Sequence, residues 1–382
     1  MAACGENKPD IVSSASASSS ADKSHLGGGK LAKAVRAAES ASLATSAKAG
    51  QQPPPNGVFP AGDADKALAP GAPGKIDVMD DGAEPRVMLR RKPPTDDLKL
   101  PLAVNLSMGG RAVLPAFRVN LVIGPEKAKS DDKSDGKDPK KPKPASSAVA
   151  SASAAPPVSM PPLTIAGPRI SALIDDMHIE GNDEALPKEL AAFKGSTVSF
   201  TMTDTGPVEF RHVLSPGAEP KLDFVLRAVE ECLSELYIAA PDKPIGEGGF
   251  YIVADRQTSL GVDVLRYRVF KVIKINGDSA LVSLDEKQYA AQPRIDLPQL
   301  GDQLAKLAFS KYTGASQGFL EIVPNDLYSK GAILGVQVQI GLAGADDKGG
   351  RGATLPIEIR AQLGSLPQGV SVQQSPDEEP QQ

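Results

Sequence analysis

The sequence is poor in the residues that build large cores and covalent frameworks. Its 382 residues include no tryptophan, 4% aromatic residues and two cysteines, Cys4 and Cys232. Two distant cysteines in unlike contexts exclude a disulfide framework and a Cys-x-x-Cys metal site. No run of about 18 apolar residues is present, so no segment is predicted to span a membrane as a helix. The formal net charge of −5 gives no basic footprint for binding nucleic acid.

Small and polar residues fill three long segments. Residues 5–84 are rich in Ala, Ser, Gly, Pro and Lys, residues 124–162 join a Lys/Asp-rich half to an Ala/Ser/Pro-rich half, and residues 367–382 are polar and acidic. Such segments contain too little apolar area to fold. We therefore predict a disordered tether over 1–84 with a reach of about 50 Å, a disordered insertion at 124–162 and a disordered tail at 367–382.

The remaining sequence, 85–366, predicts a single β-rich domain. Apolar residues alternate with others over 98–108 and again over 113–123, on either side of Gly109-Gly110. A two-residue turn at these glycines predicts a hairpin in which Leu102 lies opposite Phe117, Leu106 opposite Val113, Leu100 opposite Val119 and Leu98 opposite Leu121.

The position of the low-complexity segment 124–162 bears on domain organisation. The few short strands before it cannot bury a core by themselves. We therefore interpret the segment as an insertion into one domain rather than as a boundary between two.

A second hairpin is predicted over 261–275 and 279–289, around Asn276-Gly277. This turn places Arg268 opposite Asp285 as an ion pair across the strands. The odd-numbered face is predicted to be buried, because it carries Leu265, Tyr267, Val269, Ile273 and Ile275. Further strands are predicted at 169–179, 196–203, 207–214, 305–309, 318–323, 333–342 and 355–362, and a short helix at 186–193.

An amphipathic helix is predicted over 222–237. Its apolar stripe recurs at helical spacing, and charged residues that include Glu231 and Glu235 take the other side. The fold class is therefore mainly β (α+β): a curved antiparallel sheet or half-barrel with this helix packed on it. A core or ligand groove between helix and sheet would be lined by Leu226, Val229, Leu233, Phe250 and Tyr267.

One acidic stretch could carry chemistry. Asp175, Asp176 and His178 lie close together, and Asp176, His178 and Glu180 would share one face of a strand. These groups would suit a hydrolase only if a second carboxylate or base converged on them. One strand cannot close a metal site, so a solvated strand end is the structural alternative. We predict no metal, no cofactor and no catalytic residues, and a buried, inert thiol at Cys232.

The N-terminus carries a possible lipidation site. Met1-Ala2-Ala3-Cys4-Gly5 resembles the end of a bacterial lipobox, in which small residues precede a cysteine that takes a diacylglycerol. No basic or long apolar segment precedes it. We predict lipidation at Cys4 and a membrane anchor, with Gly5 rather than Asp favouring the outer membrane. The alternative is an ordinary cytoplasmic N-terminus with a chance Ala-Ala-Cys.

Two further motifs resemble a known group of proteins. Pro241-x-x-Pro244-Ile245-Gly246-x-Gly248-Gly249 follows the predicted helix, and Pro85-Arg86-Val87-Met88-Leu89-Arg90 opens the predicted domain. Together they resemble an uncharacterised family of bacterial envelope lipoproteins with a β-rich domain. That resemblance implies an envelope location and a single β domain over about 85–366. It implies no catalytic residues and no known ligand.

Three functions are compatible with these observations. The first is a non-enzymatic envelope lipoprotein whose β domain binds a partner protein or an amphiphile, which a continuous groove between helix and sheet would favour. The second is a purely structural surface lipoprotein without a pocket. The third is a hydrolase that uses Asp175, Asp176 or His178.

Overall fold

The computed structural model describes residues 54–126, 166–179, 188–295, 308–342 and 353–366. Within these ranges the chain is mostly strand, as predicted. The helices are α1 (Asp63–Ala67), α2 (Lys188–Ala191) and α3 (Asp223–Leu236). The strands are β1 (Lys75–Asp80), β2 (Ala83–Val87), β3 (Leu98–Met108), β4 (Arg111–Ala112), β5 (Phe117–Pro125), β6 (Arg169–Ile179), β7 (Thr197–Thr203), β8 (Gly206–Val213), β9 (Ile245–Glu247), β10 (Phe250–Ser259), β11 (Val262–Asn276), β12 (Ser279–Ile295), β13 (Phe309–Ile322), β14 (Gly331–Leu342) and β15 (Thr354–Leu363).

Thirteen strands form one antiparallel sheet that is not closed into a barrel. Its order is β1-β10-β11-β12-β13-β14-β15-β3-β5-β6-β7-β8, with β4 paired to β3, while β2 and β9 form a small separate ladder. Strands β5 and β6 are neighbours in this sheet, so the sequence on both sides of 124–162 belongs to one sheet. Residues 127–165 and the acidic tail after 366 lie outside the described residues.

Helix α3 lies in the interior of the curled sheet and contacts both β8 and β14. The predicted bounds, 222–237, agree closely with the observed ones. Its apolar stripe is buried because it meets inner-face side chains from both ends of the sheet, such as Phe200 of β7 and Tyr251 of β10. The helix ends at Tyr237, which is extended, and Ser329 donates a hydrogen bond to the free carbonyl of Leu236 at 3.4 Å. The predicted packing of helix on sheet is confirmed.

The first hairpin forms with a shifted register. Near Gly109-Gly110 the predicted pairing holds, and Val113 donates to the Leu106 carbonyl. Beyond residues 113–116, which contain Pro115, the register moves by two, so that Leu102 lies opposite Val119 rather than Phe117. A shift of two preserves the faces. The predicted apolar residues are therefore still buried, although the individual pairs beyond the turn are wrong.

The second hairpin differs in a way that exchanges its faces. The observed turn centres on Gly277-Asp278, and a bulge between Val272 and Lys274 displaces the register by one more residue. Arg268 consequently lies opposite Glu286, not Asp285. The even-numbered face of β11 lies in the core, so the prediction of a buried odd face is wrong for Tyr267, Ile273 and Ile275, which are half-buried.

The ordered chain begins earlier than predicted. Residues 54–84 carry α1 and β1, and β1 pairs with the first half of β10. Phe59 and Leu68 pack against Leu265 on the outer face of the sheet. The predicted end of the tether at residue 84 is therefore wrong by about 30 residues. Few large residues suffice here, because the sheet already provides the apolar surface on which they pack.

Candidate functional site

A large cleft lies where the two ends of the sheet approach each other. Its volume is about 1440 Å³. Segment 69–74 forms one wall, the β7–β8 hairpin forms the other, and α3 contributes part of the floor. Charged and apolar side chains both line it, among them Met202, Asp204, Val208, Glu209, Phe210, Arg211, His212, Arg227, Glu230, Asp255, Arg256 and Asp263.

The cleft exists because neither end of the sheet offers a complete edge to the other. Strand β1 covers β10 only over Phe250–Ala254, so β10 continues from Asp255 to Ser259 beyond the end of β1. On the other side, β8 bulges between Ser199 and Thr201 of its partner, and Glu209 adopts a positive φ of 54°. A bulge bends an edge strand and interrupts its pairing. The two edges therefore diverge and leave a gap.

Arg268 holds the sheet ends together at one end of this gap. Its guanidinium is fully buried, and Nη2 donates to the backbone carbonyl of Thr205 at 3.0 Å, in the β7–β8 turn. Segment 69–74 meets the same turn, since a Cβ built on Gly74 would lie 2.8 Å from the Thr205 side chain. A β11 side chain thus fixes the last hairpin of the sheet against the first strand.

Asp255 joins the cleft floor to a buried charge network. Arg266 donates to both Asp255 oxygens, from Nε at 2.8 Å and from Nη2 at 3.0 Å, and Arg268 Nη2 donates to Oδ2 as well. Burial acts to raise the pKa of Asp255, but the two arginines outweigh it and hold that pKa below its usual value. Asp255 is therefore an anion under two buried cations, the arrangement that buried charges require.

Three glutamates complete the network. Arg266 Nη1 donates to Glu235 at 2.9 Å and lies 3.9 Å from Glu286. Ser259 donates to Glu231 at 2.9 Å. Burial raises the pKa of Glu231 to about 7, and burial together with Glu286 raises the pKa of Glu235 well above its usual value. Protonation at these positions brings four carboxyl groups and two guanidinium groups towards neutrality.

The prediction that Glu231 and Glu235 face away from the sheet is wrong. Both are buried, at 2% and 0% exposure, because Arg266 approaches α3 from the sheet. Gln288 joins them: its amide donates to Glu286 at 2.6 Å, and Tyr312 donates to its oxygen at 2.6 Å. The interior of the domain therefore contains a polar layer between two apolar regions.

His212 bridges the cleft wall and the helix. Its Nε2 lies 2.5 Å from Asp223 Oδ1, and its Nδ1 lies 2.7 Å from Glu230 Oε1. Arg227 donates to the other Asp223 oxygen at 2.9 Å. The hydrogen bond to Asp223, followed by that to Glu230, raises the pKa of His212 to about 9, and the same contact with His212 lowers the pKa of Asp223. The resulting imidazolium binds β8 to α3 at neutral pH.

The five residues predicted to line a groove do not come together. Leu226, Val229 and Leu233 are fully buried in the main core. Phe250 packs with Ile252 and Val269 in a small separate cluster, and Tyr267 packs against the cluster around Phe59. Within the described ranges, none of the five lines the large cleft.

The acidic stretch on β6 is solvent-exposed. Asp176 Oδ2 lies 3.6 Å from His178 Nδ1, with the two side chains 58% and 43% exposed. Asp175 is also exposed and lies at a bulge opposite β5. None of the three lines the cleft. Glu180 and the lipidation candidate Cys4 are outside the described residues.

Two further observations concern chemistry and membranes. Cys232 is buried, and burial raises the pKa of its thiol far above the usual value, so the thiol stays protonated. In the part of the chain that the structure describes, no group of His, Cys, Asp and Glu is arranged to hold a metal ion. No described helix combines the length and apolar character needed to cross a bilayer.

Sequence reasoning missed His212, Arg266, Arg268 and Asp255. One signal was available for the arginines: they stand at strand spacing between Val262, Val264, Phe270 and Val272, all on the even face. No comparable signal pointed to His212, whose partners lie 11 and 18 residues away. No protein-family model matches this chain, and no curated protein matches it in sequence.

Replacing Arg266 by Met should lower the free energy of unfolding by about 3–5 kcal/mol, because Asp255 and Glu235 would lose a buried cation. Arg266→Lys should fall between the variant and the wild type, since lysine keeps the charge and loses the two-point contact. Urea denaturation measures these differences. Arg86→Met is the control: Arg86 is partly exposed and pairs with exposed acids, so its loss should cost about 1 kcal/mol or less. Equal, small losses at both positions would contradict this account.

His212→Gln should remove part of the pH dependence of stability. The contribution of protonated His212 is complete below pH 6.5 and declines as pH rises from 6.5 to about 9. That of ionised Asp223 is complete above its unfolded pKa and declines as pH falls. We expect a loss of about 1–3 kcal/mol at pH 6, shrinking towards alkaline pH, in denaturation curves measured between pH 5 and 10. His178→Gln serves as the control and should leave the slope unchanged.

Proposed function

We propose that this protein is a non-enzymatic, lipid-anchored protein of the bacterial cell envelope, and that its β domain binds a partner polypeptide in the cleft. The lipid would be attached to Cys4, and the sequence between Cys4 and residue 54 would connect the lipid to the domain. The cleft carries the binding part of this proposal. The Ala-Ala-Cys-Gly sequence and the resemblance to envelope lipoproteins support the anchor.

Cleft size favours a polypeptide segment over a small molecule. Sites for small molecules usually measure roughly 300–1000 Å³, and this cleft holds about 1440 Å³. Two strand edges border it: β8, which pairs with β7 alone among the described strands, and the end of β10 beyond Ala254. Backbone groups at a strand edge give affinity for extended peptides.

Cleft chemistry favours a mixed polar and apolar partner. Most of its charges already have partners within the protein: Arg256 contacts Asp263 and Asp65, and His212 contacts Glu230. Val208 and Phe210 add apolar surface between them. Because the walls are nearly neutral, binding would depend on shape, backbone hydrogen bonds and apolar contact rather than on strong charge attraction.

Site-specific photo-crosslinking in cells tests the cleft. A photoreactive residue at Arg211, which is exposed and lines the cleft, should give a discrete polypeptide adduct identifiable by mass spectrometry. The same residue at Leu173, which is 39% exposed on β6 and does not line the cleft, should not give that adduct. A lipid adduct at position 211 would favour an amphiphile instead, and identical adducts at both positions would contradict the proposal.

Lipidation is tested separately, in a bacterium that expresses the protein from its own gene. The mature protein should begin at Cys4 with a diacylglyceryl group, detectable by intact mass, and globomycin should block that processing. Cys4→Ser should release the protein from the membrane fraction. An unmodified Cys4 in a cytosolic protein would contradict the anchor and the location while leaving the cleft experiment interpretable.

A further inference from the structure

Arg91 carries a buried guanidinium edge without a hydrogen-bond partner. The Nη1 atom donates to the backbone carbonyls of Val323 at 3.2 Å and Asp326 at 2.9 Å, and the Arg90 carbonyl accepts from Asn325 at 2.8 Å. These contacts fix the segment after β2 against the loop between β13 and β14. The Nε and Nη2 atoms are shielded from solvent and contact no acceptor among the described residues.

Two buried phenols near Arg91 share this property. The hydroxyls of Tyr251 and Tyr328 are inaccessible and have no partner among the described residues, and the two side chains are 0% and 2% exposed. Tyr251 is held by stacking on Phe270, with ring centroids 5.3 Å apart. The Arg91 charge acts on the pKa of both Tyr251 and Tyr237, and Tyr237 acts on that of Tyr328, which places the four groups in one neighbourhood.

The unpaired groups are all donors in their neutral-pH states. Burial lowers the pKa of Arg91 to about 10, so it remains a cation, and burial raises the pKa of both Tyr251 and Tyr328, so they keep their protons. An unpaired buried cation is strongly destabilising, and an unmade hydrogen bond at a buried group costs more than a made one gains. Arg91 makes no ion pair with a described carboxylate at contact distance.

We propose that Arg91, Tyr251 and Tyr328 form a binding site for a small oxyanion, a carboxylate or phosphate group. Nε and Nη2 lie on one edge of the planar guanidinium, and this edge matches two oxygens of such a group. The phenols would donate to the remaining lone pairs. None of the three residues lines the large cleft, so this site is independent of the polypeptide site proposed above. Asp326, whose charge also reaches Arg91, would oppose anion binding.

Calorimetry and thermal unfolding of the full chain test the site, with inorganic phosphate, sulfate, acetate and chloride at constant ionic strength. Phosphate or acetate should bind saturably and raise the melting temperature, and comparing the two separates a tetrahedral from a planar ligand. Arg91→Lys and Tyr328→Phe should each weaken binding by roughly tenfold, the effect of one hydrogen bond to a charged group. Asp326→Asn should strengthen it a few-fold. Arg90→Met, which changes the exposed neighbour, should bind as the wild type does.

Three results would overturn the proposal. A response to chloride equal to that to phosphate or acetate would indicate general charge screening. Unchanged binding in both Arg91→Lys and Tyr328→Phe would place the anion elsewhere. Absence of saturable binding by any oxyanion in the folded wild type would leave the donors to water. Arg91→Met can be added where circular dichroism shows that it folds, but the conclusion depends on Arg91→Lys and Tyr328→Phe.

Discussion

The inner side of the sheet is organised around the Asp255 carboxylate. It accepts hydrogen bonds from Arg266 and Arg268 of the neighbouring strand, and these arginines extend to α3 and to the β7–β8 turn. A one-residue slip of β11 would turn both guanidinium groups to the outer face and leave Asp255 unpaired in the interior. The network therefore opposes the alternative register more strongly than apolar packing alone would, since Leu265 and Val269 could also have filled a core.

The sequence predicts well wherever a single period governs a long segment. Helix α3 and strand β3 were correctly located, because their apolar residues repeat at helical and strand spacing over 14 and 11 residues. Registers were less predictable. Residues 113–116 added an even offset that preserved the buried face, whereas the bulge at Val272–Lys274 contributed to an odd offset that changed it. Such bulges depend on both flanking strands, not on the turn residues alone.

The candidate site could not be predicted in the same way. Charged residues on an alternating strand are usually solvent-exposed, so Arg266 and Arg268 indicated an outer face when they lie on the inner one. The cleft itself arises from the non-local order of strands, because β8 and β10 meet only as a result of the complete curl of the sheet. The charge pattern of α3 was equally ambiguous: Glu230 contacts His212, and Glu231 faces the core one residue later.

Strand β15 connects the two halves of the sheet. It lies between β14 and β3, and so joins the block β10–β14 to the block β3–β8. It is also the last described element of the chain, so during synthesis both blocks wait with open edges until the final residues become available. Long-range pairing of this kind slows folding and favours aggregation of incomplete chains. A polypeptide with this strand order is suited to delivery as a whole before it folds.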